Sequence, residues 1–297
     1  PPPRPRRTRT LVLGAVLAAL VATGAALFTV RPWDDDGRAS STDRGDQAAG
    51  AADGSNIVPG AFLGTWEGEV KERGRGTGAE SWVLARVEIT RGGYNAPVAT
   101  FVSVGQEALC IGDSTMESGG THKDGREEIT LSRGRLKHSA PPGACIELPR
   151  HELTTRNDGD LDWRTQDGKY SARFRPVPPG NTRVPSAYVG IWTDKGNRSP
   201  DNLRITITGG RVGVTRARTA SDPQSGTHCE WTATLASVGA ERLVFGPYEL
   251  DAERSDGDCD KTGPVHTYTS QAEGKLQLEF PTRDGEFPID LVPVAGD

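Results

Sequence analysis

The sequence predicts an all-β protein built from two tandem antiparallel β-barrels. Three observations carry that prediction. First, the string Val58-Pro59-Gly60-Ala61-Phe62-Leu63-Gly64-Thr65-Trp66 returns as Val184-Pro185-Ser186-Ala187-Tyr188-Val189-Gly190-Ile191-Trp192, and self-similarity of this length marks a tandem fold. Second, Val83, Ala85, Val87 and Ile89 alternate for the most part with polar residues, as do Leu203, Ile205 and Ile207, and Leu276, Leu278 and Phe280. A period of two is the mark of half-buried strands. Third, Arg91-Gly92-Gly93, Asn157-Asp158-Gly159, Asp167-Gly168, Gly209-Gly210 and Asp284-Gly285 punctuate these runs, because glycine supplies the positive φ of tight hairpins. The copies also close alike: Asp167 to Val177 matches Asp284 to Val294 without a gap. About eight strands fit in each copy, the number at which an up-and-down barrel is just filled by side chains or holds one small ligand. A pair of β-sandwiches is the alternative architecture.

Composition narrows the class. A chain of 297 residues exceeds what two copies of this size need, so two domains plus a further segment are expected. With 35 Lys and Arg against 40 Asp and Glu, the net charge is -5, and no basic field exists to hold nucleic acid. The four cysteines fall two per copy. That distribution predicts one disulfide inside each domain, Cys110 with Cys145 and Cys229 with Cys259, formed in an oxidising compartment. Four buried free thiols are the alternative. Metal binding is disfavoured because no Cys-x-x-Cys or clustered Cys/His spacing occurs.

From the N-terminus, residues 1–10 are rich in proline and carry Arg4, Arg6, Arg7 and Arg9 with no acid. Residues 11–30 form an uncharged apolar run whose length as a helix, about 30 Å, matches a bilayer core. We therefore expect a single transmembrane helix, with the arginine-rich N-terminus cytoplasmic and the bulk of the chain outside. A cleavable signal peptide is the rival, but its apolar core is usually only about 7–15 residues. The chain opens on Pro1 rather than Met, and we expect a longer polypeptide upstream. Residues 31–56 are mostly Gly, Ala, Ser and Asp and read as a flexible acidic stalk. The first β domain is placed at 57–177, a proline-stiffened linker at 178–183 and the second β domain at 184–297.

Candidate sites are few. Gly64-x-Trp66 and Gly190-x-Trp192 resemble the opening signature of lipocalin-like barrels, in which the tryptophan plugs one end and the glycine lets the backbone pass closely. These four residues are read as structural. Asp256, Asp258 and Asp260 alternate like a calcium loop, yet Lys261 and Thr267 occupy the positions where Gly and Glu are required. Asp158, Asp160 and Asp162 read as a turn and an outward strand face. None of the five histidines has metal spacing, no Gly-x-Ser-x-Gly elbow occurs, and Gly74-Arg75-Gly76-Thr77-Gly78 lacks the strand and helix of a phosphate loop. No catalytic, cofactor-binding or metal-ligating residue is assigned.

The order of proline/arginine-rich stretch, single span, acidic Gly/Ala stalk and Pro-x-Ala-aromatic-aliphatic-Gly-x-Trp domains resembles the C-terminal half of bacterial receptor-type serine/threonine protein kinases. The resemblance implies an extracytoplasmic sensor for a small molecule or an envelope component, signalling through the cell membrane to a cytoplasmic kinase domain. Val-Ala-Ile-Lys, His-Arg-Asp and Asp-Phe-Gly are all absent, so a kinase domain is expected only upstream of Pro1. The alternative is a stand-alone, membrane-anchored binding or envelope protein with two lipocalin-like domains.

Overall fold

A computed structural model describes residues 57–73, 83–105, 107–194, 202–222, 226–280 and 288–294. The juxtamembrane segment, the expected membrane span, the stalk, the glycine-rich turn at Gly74 to Gly78 and the Asp284-Gly285 turn all lie outside the described residues. Among the described residues no helix is long and apolar enough to cross a membrane.

The first copy forms nine strands: β1 (Gly64–Glu72), β2 (Val83–Ile89), β3 (Pro97–Val104), β4 (Leu109–Thr121), β5 (Glu127–Leu131), β6 (Arg135–Ala140), β7 (His151–Thr155), β8 (Leu161–Thr165) and β9 (Tyr170–Pro176). Eight of them close a ring in the order β1-β2-β3-β4-β5-β7-β8-β9, each antiparallel to the next, with β9 returning to β1. This is an up-and-down barrel, and closure leaves the ring no free edge. β6 stands outside the ring. β4 is 13 residues long; its second half pairs with β5, while β6 folds back to cover Leu109 to Asp113 of its first half.

The second copy repeats the plan strand for strand: β10 (Gly190–Asp194), β11 (Arg204–Ile207), β12 (Arg216–Ser221), β13 (Cys229–Val238), β14 (Arg242–Phe245), β15 (Glu249–Leu250), β16 (His266–Gln271), β17 (Lys275–Glu279) and β18 (Ile289–Pro293). Its ring is β10-β11-β12-β13-β14-β16-β17-β18, with β15 on β13 in the place of β6. The registers coincide as well. Trp66 faces Val87 and Pro176, and Trp192 faces Ile205 and Pro293. Two closed eight-stranded barrels are thus present, and the sandwich alternative is discarded because a sandwich does not pair its last strand with its first.

Each barrel buries its own core. Phe62, Trp66, Val87, Ile129, Leu153 and Phe174 fill the first; Tyr188, Trp192, Ile205, Phe245, Tyr268 and Leu291 fill the second. With ring and core both complete within the described residues, the pair satisfies the physical requirements of an independently folding unit.

A third apolar cluster joins the barrels from the outside. Val102, Val104, Leu109, Ile111 and Ala140 of the first meet Ala236, Val244 and Val265 of the second. Gly246 approaches so closely that a Cβ there would lie 2.8 Å from that of Leu109. A polar clamp flanks the cluster. Ser237 Oγ donates to Glu67 Oε2 at 2.5 Å, Arg86 lies 3.5 Å from the same carboxylate, and Arg86 Nη2 donates to the Asn181 carbonyl at 2.9 Å. Asn181 belongs to the linker turn Pro179–Thr182, so the connection is tied to the first barrel. Burial pushes the Arg86 guanidinium below its usual range, and Glu67 and then Glu88 oppose that shift.

Candidate functional site

The repeated string builds one end of each barrel. Pro59 and Pro185 precede short 3₁₀ turns, Gly60–Phe62 and Ser186–Tyr188, and each turn leads into its first strand. Trp66 Nε1 donates to the Phe62 carbonyl at 2.8 Å, and Trp192 Nε1 donates to the Tyr188 carbonyl at 3.0 Å. An indole fills this end and satisfies its one donor locally. The glycines act differently from the expectation of close passage. No atom lies within 4 Å of a Cβ built on Gly64, and only the Trp192 ring does so for Gly190. Their φ angles of 130° and 154° are what exclude other residues.

The opposite end of the first barrel is open inside. Four residues along β1 from Trp66, roughly 13 Å at strand spacing, Val70 begins the wall of a cavity of about 300 Å³. Ala85, Phe101, Trp163 and Tyr170 continue the wall from the strands, and Leu136 adds to it from β6. The chain between β6 and β7 covers the outer side with Ala144 to Pro149. It is held there because Cys145 is bonded to Cys110 of β4, with Cα atoms 5.7 Å apart. Ile146 stands 71% exposed at the rim, an apolar lip on an apolar chamber. The volume lies at the lower limit of small-molecule sites, which run from about 300 Å³ to 1,000 Å³.

In the second barrel an inward tyrosine takes the matching position, and register shows how. Leu131 faces His151 across β5 and β7, as Phe245 faces His266 across β14 and β16. Three residues beyond each strand stand Gly134 and Tyr248, which meet Leu148 and Gly263 through one backbone hydrogen bond each. The large and small partners are exchanged. In the second barrel the Tyr248 ring turns inward, stacks on His266 at 4.0 Å and brings its hydroxyl 3.4 Å from that of Tyr268. In the first barrel Gly134 sends nothing inward. A second exchange sits nearby, since Gly112 opposes Phe101 where Trp231 opposes Thr219. The Trp231 Nε1 donates to the Asp260 carbonyl at 2.7 Å on the segment stitched by Cys229–Cys259, whose Cα atoms are 5.9 Å apart.

Two buried rings with polar atoms, His151 and Trp163, stand at or beside the cavity. His151 donates from Nδ1 to the Pro149 carbonyl at 2.8 Å and packs edge-on to Phe101 at 4.9 Å. Burial lowers its pKa from 6.5 to about 4, the hydrogen bond to Pro149 opposing, so the ring is neutral. His266 repeats the arrangement with Pro264, and burial lowers its pKa to about 3. Trp163 is buried against Phe174 and His151. Its Nε1, like Ser114 Oγ and His151 Nε2, has no hydrogen-bond partner among the described residues.

A larger groove of about 1020 Å³ runs over the outer faces of β1, β8 and β9. Its arginines stand beside acids: Arg126 by Asp124, Arg164 by Glu152, Arg173 by Asp158 and Asp160, and Arg175 4.0 Å from Asp160, while Lys71 is the one further cation among its described lining residues. Cations neutralised by their own neighbours offer little to a ligand, and the barrel interior is the stronger candidate. Asp160, between the turn and β8, is covered within that network on the outside of the barrel; Arg173 Nε donates to it at 2.5 Å. Asp256 accepts from the His228 backbone. Among the described residues no group of three His, Cys, Asp or Glu side chains converges on a point.

The cysteines that the sequence pairs are therefore bonded within their own barrels, and one bridge walls the cavity. Gly64, Trp66, Gly190 and Trp192 lie at the far end from it. Sequence reasoning misses Gly134, Leu148 and Trp163; the signal available is the Gly134/Tyr248 mismatch between copies, legible only once the strands are in register. No protein-family model, curated protein or solved structure matches this chain.

Proposed function

We propose that the chain is the extracytoplasmic sensor region of a membrane-anchored protein, with the first barrel as its ligand-binding domain and the second as a structural partner. The observation that carries the binding role is the contrast between copies: one fold, one register, and a cavity of about 300 Å³ where Gly134 replaces the inward tyrosine. Two barrels under the same selection for stability alone would both be filled, because an empty apolar cavity costs stability in proportion to its volume. The two disulfides support an oxidising location outside the cytoplasm, and the apolar run at 11–30 supports the tether. Attachment to a serine/threonine kinase rests on the order of segments.

Binding is tested by titrating residues 51–297 with the neutral fluorophore N-phenyl-1-naphthylamine. Saturable binding of one probe per chain is expected, and none would refute the reading. The kinase attachment is tested on the upstream reading frame. An in-frame kinase domain supports it, whereas a start within a few codons of Pro1 favours a stand-alone anchored binding protein.

A further inference from the structure

We propose that the cavity of the first barrel takes a neutral, largely apolar molecule bearing one hydrogen-bond acceptor, and that Trp163 Nε1 is the donor that recognises it. The proposal rests on the ligand-binding reading above and names the chemistry of its ligand.

Four described tryptophans carry an indole donor. Trp66, Trp192 and Trp231 each donate to a backbone carbonyl, at 2.8, 3.0 and 2.7 Å. Trp163 is buried to 3% exposure and stands between the cavity and the outer groove, lining both, and its Nε1 has no hydrogen-bond partner among the described residues. A buried donor that makes no bond has lost its water without return, so an indole in an apolar wall is a poor choice unless something fills its bond. The second copy supplies the control. Trp163 faces Leu153 across β7 and β8, and the matching pair across β16 and β17 is Tyr268 with Leu278, so Leu278 stands where Trp163 does. The donor is present beside the cavity of the first barrel and replaced by an apolar side chain in the copy that carries the inward tyrosine.

The charge of the ligand follows from the wall. Among the described residues lining the cavity, Glu147 is the one charged side chain. A carboxylate or phosphate ligand would meet like charge and no cation, and would lose its hydration for one neutral donor. An ester, ketone, amide or ether oxygen on an apolar body matches the donor without that cost.

The test measures 2-acetylnaphthalene and 2-ethylnaphthalene, a pair of similar shape that differ in the carbonyl, by equilibrium dialysis against residues 51–297. Trp163→Phe keeps an aromatic wall and removes the donor. Loss of one hydrogen bond should weaken the ketone roughly fivefold and change the hydrocarbon by less than about twofold. Equal effects on both probes overturn the assignment of Trp163 while leaving ligand binding intact. Failure of both probes to bind the unaltered protein overturns the binding reading and this proposal together.

Placement is tested separately. The double variant Gly134→Tyr/Leu148→Gly transfers the second barrel's plug into the first, and should reduce binding of both probes at least tenfold while the protein still melts cooperatively. Ala85→Leu narrows the same chamber with a single change, and serves if the double variant fails to fold. Undiminished binding in a folded variant places the site elsewhere and overturns the proposal.

Discussion

Mild acid should weaken both barrels through one buried histidine in each. His151 and His266 are neutral in the folded protein, with pKa values lowered from 6.5 to about 4 and about 3 by burial. Each carbonyl that accepts from Nδ1, Pro149 or Pro264, works against that shift but does not cancel it. The unfolded chain therefore takes up the protons first as pH falls. Stability is fully present above about pH 6.5, declines below it, and levels off only near each folded value. Between pH 7 and 5 each histidine should cost its barrel about 2 kcal/mol, since one proton taken up by the unfolded state is worth about 1.4 kcal/mol per pH unit. His228 works in the opposite sense: it is exposed, Asp222 raises its pKa, and its contribution is present at low pH and fades as pH rises through the folded value. The assay is urea unfolding of residues 51–297 at half-unit pH intervals, alongside His151→Leu, which should flatten the slope by one proton. A free energy constant between pH 7 and 5, or an NMR titration placing either ring near its ordinary value in the folded protein, would contradict the reasoning.

Two further outcomes follow from the described contacts. Cys110→Ser with Cys145→Ser opens a loop of 35 residues, and should lower urea stability by about 4 kcal/mol in the chain-entropy account. Because that bridge also holds the cavity wall, bound N-phenyl-1-naphthylamine should be lost even at temperatures where the barrel stays folded. Gly246→Ala should loosen the docking of the barrels, because its Cβ would lie 2.8 Å from Leu109 Cβ; overpacking of this kind costs about 1–3 kcal/mol. The expected sign is separation of one unfolding transition into two, and an unchanged single transition would count against a rigid contact there.

The fold is largely legible in the chain because its signals are local. Period-2 runs, glycine turns and a doubled nine-residue string depend on residues near one another in sequence, and they lead to two barrels of about eight strands. The paired cysteines are legible for a similar reason, since two per copy leave one simple pairing within each. The β6 and β15 excursions are not legible: they add strands outside the ring, and nothing in the alternation of Leu136 or Leu250 tells which strand they cover. The burial of Asp160 is not legible either, because its turn is local whereas Arg173, which covers it on the outer face, comes from the next strand.

Alternation, turn residues and the doubled string are enough to set the tandem plan, the strand-forming character of each copy and the separation of the cysteines into two pairs. Which end of each barrel the tryptophan closes, and where a glycine in one copy meets an inward tyrosine in the other, emerges only when the strands are assembled. Trp66 and Trp192 stand out in the chain, yet they occupy equivalent plugs and distinguish nothing. Gly134 and Tyr248 lie outside the repeated string, in segments of different length, and their correspondence exists only through the pairing of Leu131 with His151 and Phe245 with His266. A cavity is a property of what several strands leave unfilled between them, and that sum is made in space.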